Sequence, residues 1–87
     1  MKWNDVELID NLEIGKVYYV LTSGFNEYLF SKVEGRYKTT CSKWMDVKRN
    51  HFYDGYKGDT FVVYDEFIRK LRLANRNEIA IWNRTFN

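Results

Sequence analysis

The chain has 87 residues, fourteen basic against twelve acidic, and aromatic residues make up 18% of it. A chain of that length buries enough surface for one core, so the sequence predicts a single domain over residues 1–87. The net charge of +2 excludes a protein given over wholly to phosphate backbone but leaves room for a local basic patch.

One cysteine cannot form an internal disulfide, and Cys41 with His51 alone cannot supply the three or four ligands that zinc wants. No metal or other cofactor is expected. The lone cysteine makes a reducing cytoplasm the expected compartment. No charged leader followed by an apolar stretch opens the chain, and no apolar run reaches the length of a membrane span, so no membrane partner is expected.

The first element reads as a short amphipathic helix. Asn4 stands at its N-cap, Glu7 three residues on reaches back, and Trp3 is placed to staple onto Leu8. Gly15 then supplies the backbone freedom for a turn. From Lys16 the period changes to two: "KVYYVLT" and "EYLFSKVEG" flank the turn-rich Ser23-Gly24-Phe25-Asn26 and read as a hairpin.

"RYKTTCSKW" alternates as a third strand, with Tyr37, Thr39 and Cys41 on one face and a wet face of Arg36, Lys38 and Thr40. Residues 45–59 carry Asp-Gly and Lys-Gly steps without a sustained period, a loop or loosely paired hairpin. "TFVVYDEF" is the most apolar run and the expected central strand. "IRKLRLA" reads either as a helix continuing from Asp65 or as a last strand. Asn75 and Glu78 repeat the N-cap spacing, and "EIAIW" carries on as a closing helix.

The predicted architecture is mainly β with an α+β character: a small antiparallel barrel or strongly curved sheet of four or five strands, with a short helix at each terminus. Its expected core is Trp3, Leu8, Val17, Tyr19, Leu29, Val33, Phe61, Val63, Leu71, Ile79 and Trp82. An edge strand at residues 36–42, guarded by nearby lysine and arginine, would permit a homodimer.

Catalytic constellations are scarce. Cys41 and His51 form the only nucleophile–base pair on offer, and a lone cysteine on an alternating strand is more often a small buried hydrophobe. Asp65 and Glu66 are adjacent and would point to opposite faces of a strand. The glycines at 15, 24, 35, 55 and 58 are dispersed through turns and never gather into a phosphate loop. The expectation is a protein that is not an enzyme.

Charge is more informative. Residues 1–15 carry net -3, residues 16–58 net +4 and residues 59–87 net +1. Within the basic middle, Trp44, Lys48, Arg49, Phe52, Tyr53, Tyr56 and Lys57 interleave rings with cations. That composition serves a protein interface, in which Trp, Tyr and Arg are the strong anchors. It serves single-stranded nucleic acid equally well, with cations for phosphates and rings for bases. A pocket sequestering a nucleotide signal is a third use, and a wet loop with no partner is the plain alternative.

The two ends of the β region also carry a resemblance. "IGKVYYV" at a strand start and "RLANRNEIAIW" at the terminus resemble small uncharacterised accessory proteins of tailed phages and prophages. Those proteins set an Arg-Leu-Ala and a capped Glu-Ile helix around an SH3-like curved sheet. The resemblance covers about a third of the chain, and it departs from the frequent Thr-Pro-Glu-Glu by showing Asn75-Arg76-Asn77-Glu78. It implies a non-enzymatic phage accessory protein that binds and inhibits a host or antiviral-defence protein.

Overall fold

The computed structural model describes residues 12–35, 39–55 and 67–86 in full and residues 61–62 by backbone. It shows an open antiparallel sheet with one helix among the described residues. The strands are β1 (Val17–Thr22), β2 (Glu27–Lys32), β3 (Thr40–Asp46), β4 (His51–Asp54), β5 (Phe61–Val62) and β6 (Ile68–Leu73), followed by helix α1 (Arg76–Phe86). The sheet order is β4-β3-β2-β1-β6, with the two residues of β5 paired to β3 beyond the end of β4.

The barrel expectation is therefore overturned. Closure needs the two outermost strands to pair, and here β4 and β6 stand at opposite edges, four interstrand steps apart, a separation of about 19 Å at ~4.8 Å per step. The short turns of the sequence specify local hairpins. They say nothing of whether the last strand returns to β1 or closes onto β4. The expected N-terminal helix, with Trp3, Asn4, Glu7 and Leu8, lies outside the described residues, so the described helix is the C-terminal one alone.

β1 and β2 form the predicted hairpin, in register from Val17↔Ser31 to Leu21↔Glu27. Gly15 takes φ 91°, a left-handed value that suits glycine, as the chain turns into β1. β3 lies between β2 and β4, so the expected edge at residues 36–42 is not an edge where it is described. Its register slips between Ser31 and Lys32, which face Lys43 and Cys41 and leave Ser42 as the extra residue. The bulge turns Cys41 toward the face used by Trp44, three residues on. Thr40, expected on a wet face, is buried together with Thr39 and Cys41.

Both sheet faces are covered, and two clusters form. The helix face holds Leu29, Met45 and Trp82, with Val17, Tyr19, Val47, Ala74, Ile81 and Phe86 packed around them. The opposite face holds Tyr18, Val20, Phe30, Cys41, Ile68 and Leu71, joined by Leu12, Tyr28 and Trp44. Of the expected core, Leu29, Leu71 and Trp82 are buried, whereas Val17, Tyr19, Val33 and Ile79 are half-buried. Trp3, Leu8, Val63 and the Phe61 side chain lie outside the described residues.

The apolar run "TFVVYDEF" contributes only the two-residue β5 to the described sheet; the central position belongs to β2, flanked by β1 and β3. "IRKLRLA" resolves as a strand, β6, paired to β1.

Candidate functional site

The β3–β4 hairpin carries most of the cations and rings singled out in the sequence. Its four-residue turn, Val47 to Asn50, closes on the pair Asp46↔His51. The buried Asp46 carboxylate accepts the Arg49 amide at 3.0 Å, and Asn50 takes the left-handed backbone at φ 55° that asparagine tolerates. Local turn chemistry thus places Lys48 and Arg49 at an exposed tip.

The hairpin does not gather its aromatic residues on one surface. Trp44 and Tyr53 are cross-strand partners on the face away from α1. Their rings stack at 6.0 Å and 23°, and Tyr28 meets Trp44 edge-on at 5.5 Å. This ladder across β2, β3 and β4 is half-buried, and its Tyr28 and Trp44 pack on the core. Phe52 points to the helix face instead, where its ring lies edge-on to Phe86 at 5.7 Å and stays 56% exposed. Tyr56 and Lys57 lie outside the described residues.

Each tip cation has a carboxylate beside it. Lys48 Nζ is 3.7 Å from Glu27 Oε2 and donates to the Phe25 carbonyl at 3.4 Å. Arg49 stands 3.6 Å from Asp46 Oδ2. These pairs are largely exposed on the cation side and individually worth under about 1 kcal/mol, yet they cancel much of the local charge.

The Lys48 bond to Phe25 joins this tip to a second one. Strand polarity puts the β1–β2 turn, the β3–β4 turn and the start of β6 at the same end of the sheet. Phe25 there is 63% exposed and Phe67 is 48% exposed. The Arg69 guanidinium lies over the Phe25 ring at 5.1 Å, and the Ser23 amide donates to the Phe67 carbonyl at 2.8 Å, closing the gap between the two segments. The turn end therefore presents Phe25, Lys48, Arg49, Phe67 and Arg69 as neighbours.

Sequence reasoning found Lys48 and Arg49 and missed the two phenylalanines. A signal for Phe25 existed: a large ring inside a turn tetrad has no strand parity with which to bury itself. Phe67 gave none, because it sits at the boundary of an apolar run.

The Cys41–His51 pair is not assembled. His51 closes the turn opposite Asp46, while Cys41 lies five residues back along β3, roughly 16 Å away at ~3.3 Å per residue. Cys41 is buried, and burial pushes its thiol up to about 12, so it stays protonated and lacks the thiolate that nucleophilic attack requires. Among the described residues, no cluster of His, Cys, Asp or Glu is arranged to hold a metal ion.

No protein-family model, curated protein or solved structure matches the chain.

Proposed function

We propose that this protein is a non-enzymatic binding module that acts by occupying another protein, with the turn end of the sheet as its contact surface. The observation that carries the reading is Phe25. A large apolar ring stands in solvent at a hairpin tip, on a backbone at φ 62° that a bulky residue adopts at a cost. Phe67 beside it and the arginines at positions 49 and 69 add the ring-and-guanidinium chemistry typical of interface anchors. The resemblance to phage accessory proteins supplies the target class, a host or antiviral-defence protein whose activity is blocked by occupancy.

Nucleic-acid binding is the weaker reading. A phosphate would have to displace Glu27 from Lys48 and Asp46 from Arg49 before gaining either cation. Trp44 and Tyr53, the rings best placed in sequence for stacking on bases, stack on each other, and Trp44 also packs on the core.

The test is affinity capture from bacterial lysate with the full chain, comparing wild type, Phe25→Gly, Arg49→Ala and Tyr53→Ala. A partner retained by wild type and by Tyr53→Ala, but lost with Phe25→Gly and weakened with Arg49→Ala, supports the reading. A partner held equally by all four would move the site elsewhere. An oligonucleotide shift whose affinity collapses between about 50 and 200 mM salt would favour the phosphate alternative.

A further inference from the structure

An open sheet leaves two edges, and the two edges of this one are chemically unlike. β6 carries Arg69, Lys70 and Arg72 within six residues. Two copies of it side by side would oppose like charges, a common protection of an edge strand. β4 reads His51-Phe52-Tyr53-Asp54, with a single acidic group and no lysine or arginine.

The direction of β4's backbone groups follows from one hydrogen bond. The Gly55 amide donates to the Ser42 carbonyl at 2.8 Å. Alternate residues of an antiparallel strand turn their N–H and C=O to the same side. His51 and Tyr53 therefore direct theirs to β3, and Phe52 and Asp54 direct theirs outward. Among the described residues, no strand pairs with that outer side of β4.

We propose that two copies of this chain pair through β4, antiparallel about a two-fold axis at Phe52, so that one sheet runs through both molecules. In this register the outward N–H of each Phe52 donates to the C=O of the other. Continuity of the faces sets the two Phe52 rings side by side next to Phe86, burying a ring that is 56% exposed in the single chain. His51 falls opposite Tyr53 of the second copy and Asp54 opposite Asn50, so no like charges meet. The alternative register centred on Tyr53 sets Phe52 against Asp54, a ring against a carboxylate. The Phe52 register is thus the one that the side chains select.

The surface differs from the turn end assigned above, so its fate can be read separately. A strand of four residues makes a small interface, and the dimer is expected to be weak, with a dissociation constant of about 10–100 μM.

Sedimentation velocity on the full chain over a concentration series tests the pairing. The wild-type mass should rise from one chain toward two. Phe52→Pro, which removes the outward donor and the ring but no hydrogen bond to β3, should stay at one chain with an unchanged circular dichroism spectrum. Phe52→Lys should do the same by placing two ammonium groups together, and Phe25→Gly should dimerise normally.

A second readout is covalent. A hydrogen-bonded antiparallel pair holds its Cα atoms about 5.5 Å apart, within the ~4.4–6.8 Å span of a disulfide. Phe52→Cys with oxidised glutathione as the oxidant should therefore cross-link faster than Lys70→Cys, while the buried Cys41 stays reduced.

A single-chain mass at every concentration up to about 1 mM would overturn the proposal. A dimer that survives Phe52→Pro, or cross-linking no faster at position 52 than at 70, would do so as well. Capture of a foreign protein on β4 by a chain that is otherwise monomeric counts against self-pairing in the same way.

Discussion

In the three-residue loop between Thr22 and Asn26, the Phe25 amide donates to Thr22 O at 2.9 Å, and the Thr22 amide donates to Asn26 O at the same distance. Such a loop is a turn followed by one left-handed residue, a position that glycine normally fills. Here the left-handed residue is Phe25 at φ 62°, while Gly24 one place earlier has no positive φ. For a residue with a Cβ, that conformation costs roughly 1–2 kcal/mol, partly offset by the exposed Arg69 contact at about 0.5–1 kcal/mol. Phe25→Gly should therefore stabilise the fold by roughly 0.5–1 kcal/mol, a rise of a few degrees in Tm for a domain of this size. Phe25→Ala keeps the strain and loses the ring, and should be neutral or slightly destabilising. Thermal unfolding of the two variants beside wild type checks the ordering; if glycine proves no better than alanine, the loop is not strained.

At the scale of elements, the junction between β6 and α1 is the most closely specified. Asn75 and Glu78 form a reciprocal cap: the Glu78 amide donates to Asn75 Oδ1 at 2.9 Å, and the Asn75 amide donates to Glu78 Oε1 at 2.8 Å. Arg72, the penultimate residue of β6, donates to both Glu78 oxygens at 2.8 and 2.9 Å and lies over the Tyr19 ring at 4.1 Å. The cap was legible because its two residues are three apart in sequence. The Arg72 fork was not, since it depends on β6 being a strand that delivers its guanidinium to the helix start. The bulge at Ser42 escaped notice for a similar reason: it is a property of the pairing with β2, and strict alternation along β3 carries no trace of it. Hydrogen bonding to Arg72, then to the Asn75 amide, holds the Glu78 carboxyl below its ordinary 4.5. A lowered folded value contributes stability that is present above about 4.5 and lost as pH falls through the folded value. Glu78→Gln, which keeps the cap acceptor but loses the charge, should cost roughly 1 kcal/mol at neutral pH, given a half-exposed arginine partner. Urea melts of both proteins from pH 7 toward pH 3 should show that gap closing on the acid side; a gap independent of pH would mean that the charge plays no part.

For the whole molecule, burial on both sheet faces explains why strand parity misled. β1 alternates half-buried with buried residues, not wet with buried ones. Val17 and Tyr19 pack on the helix face, while Tyr18 and Val20 fill the other cluster. Alternation can be read only when one face meets water. An open sheet covered on both faces still presents edges to further pairing, and at β6 resistance to that pairing is assigned to charge. Lys70 is exposed, faces Leu21 in register, and sits between the buried Ile68 and Leu71 on an edge strand. Replacing it by valine leaves the strand with three aliphatic side chains in four positions, a composition prone to edge-to-edge growth. Lys70→Val should therefore scatter light increasingly with concentration and time at moderate temperature, and Lys70→Glu, which restores a charge of the other sign, should remain clear. The two variants differ little in what they remove from the folded monomer, since the lysine tip is solvated. Matched unfolding midpoints with divergent scattering would place the effect at the edge. Equal scattering by both variants would instead show that the lysine stem, and not its charge, keeps β6 apart from its neighbours.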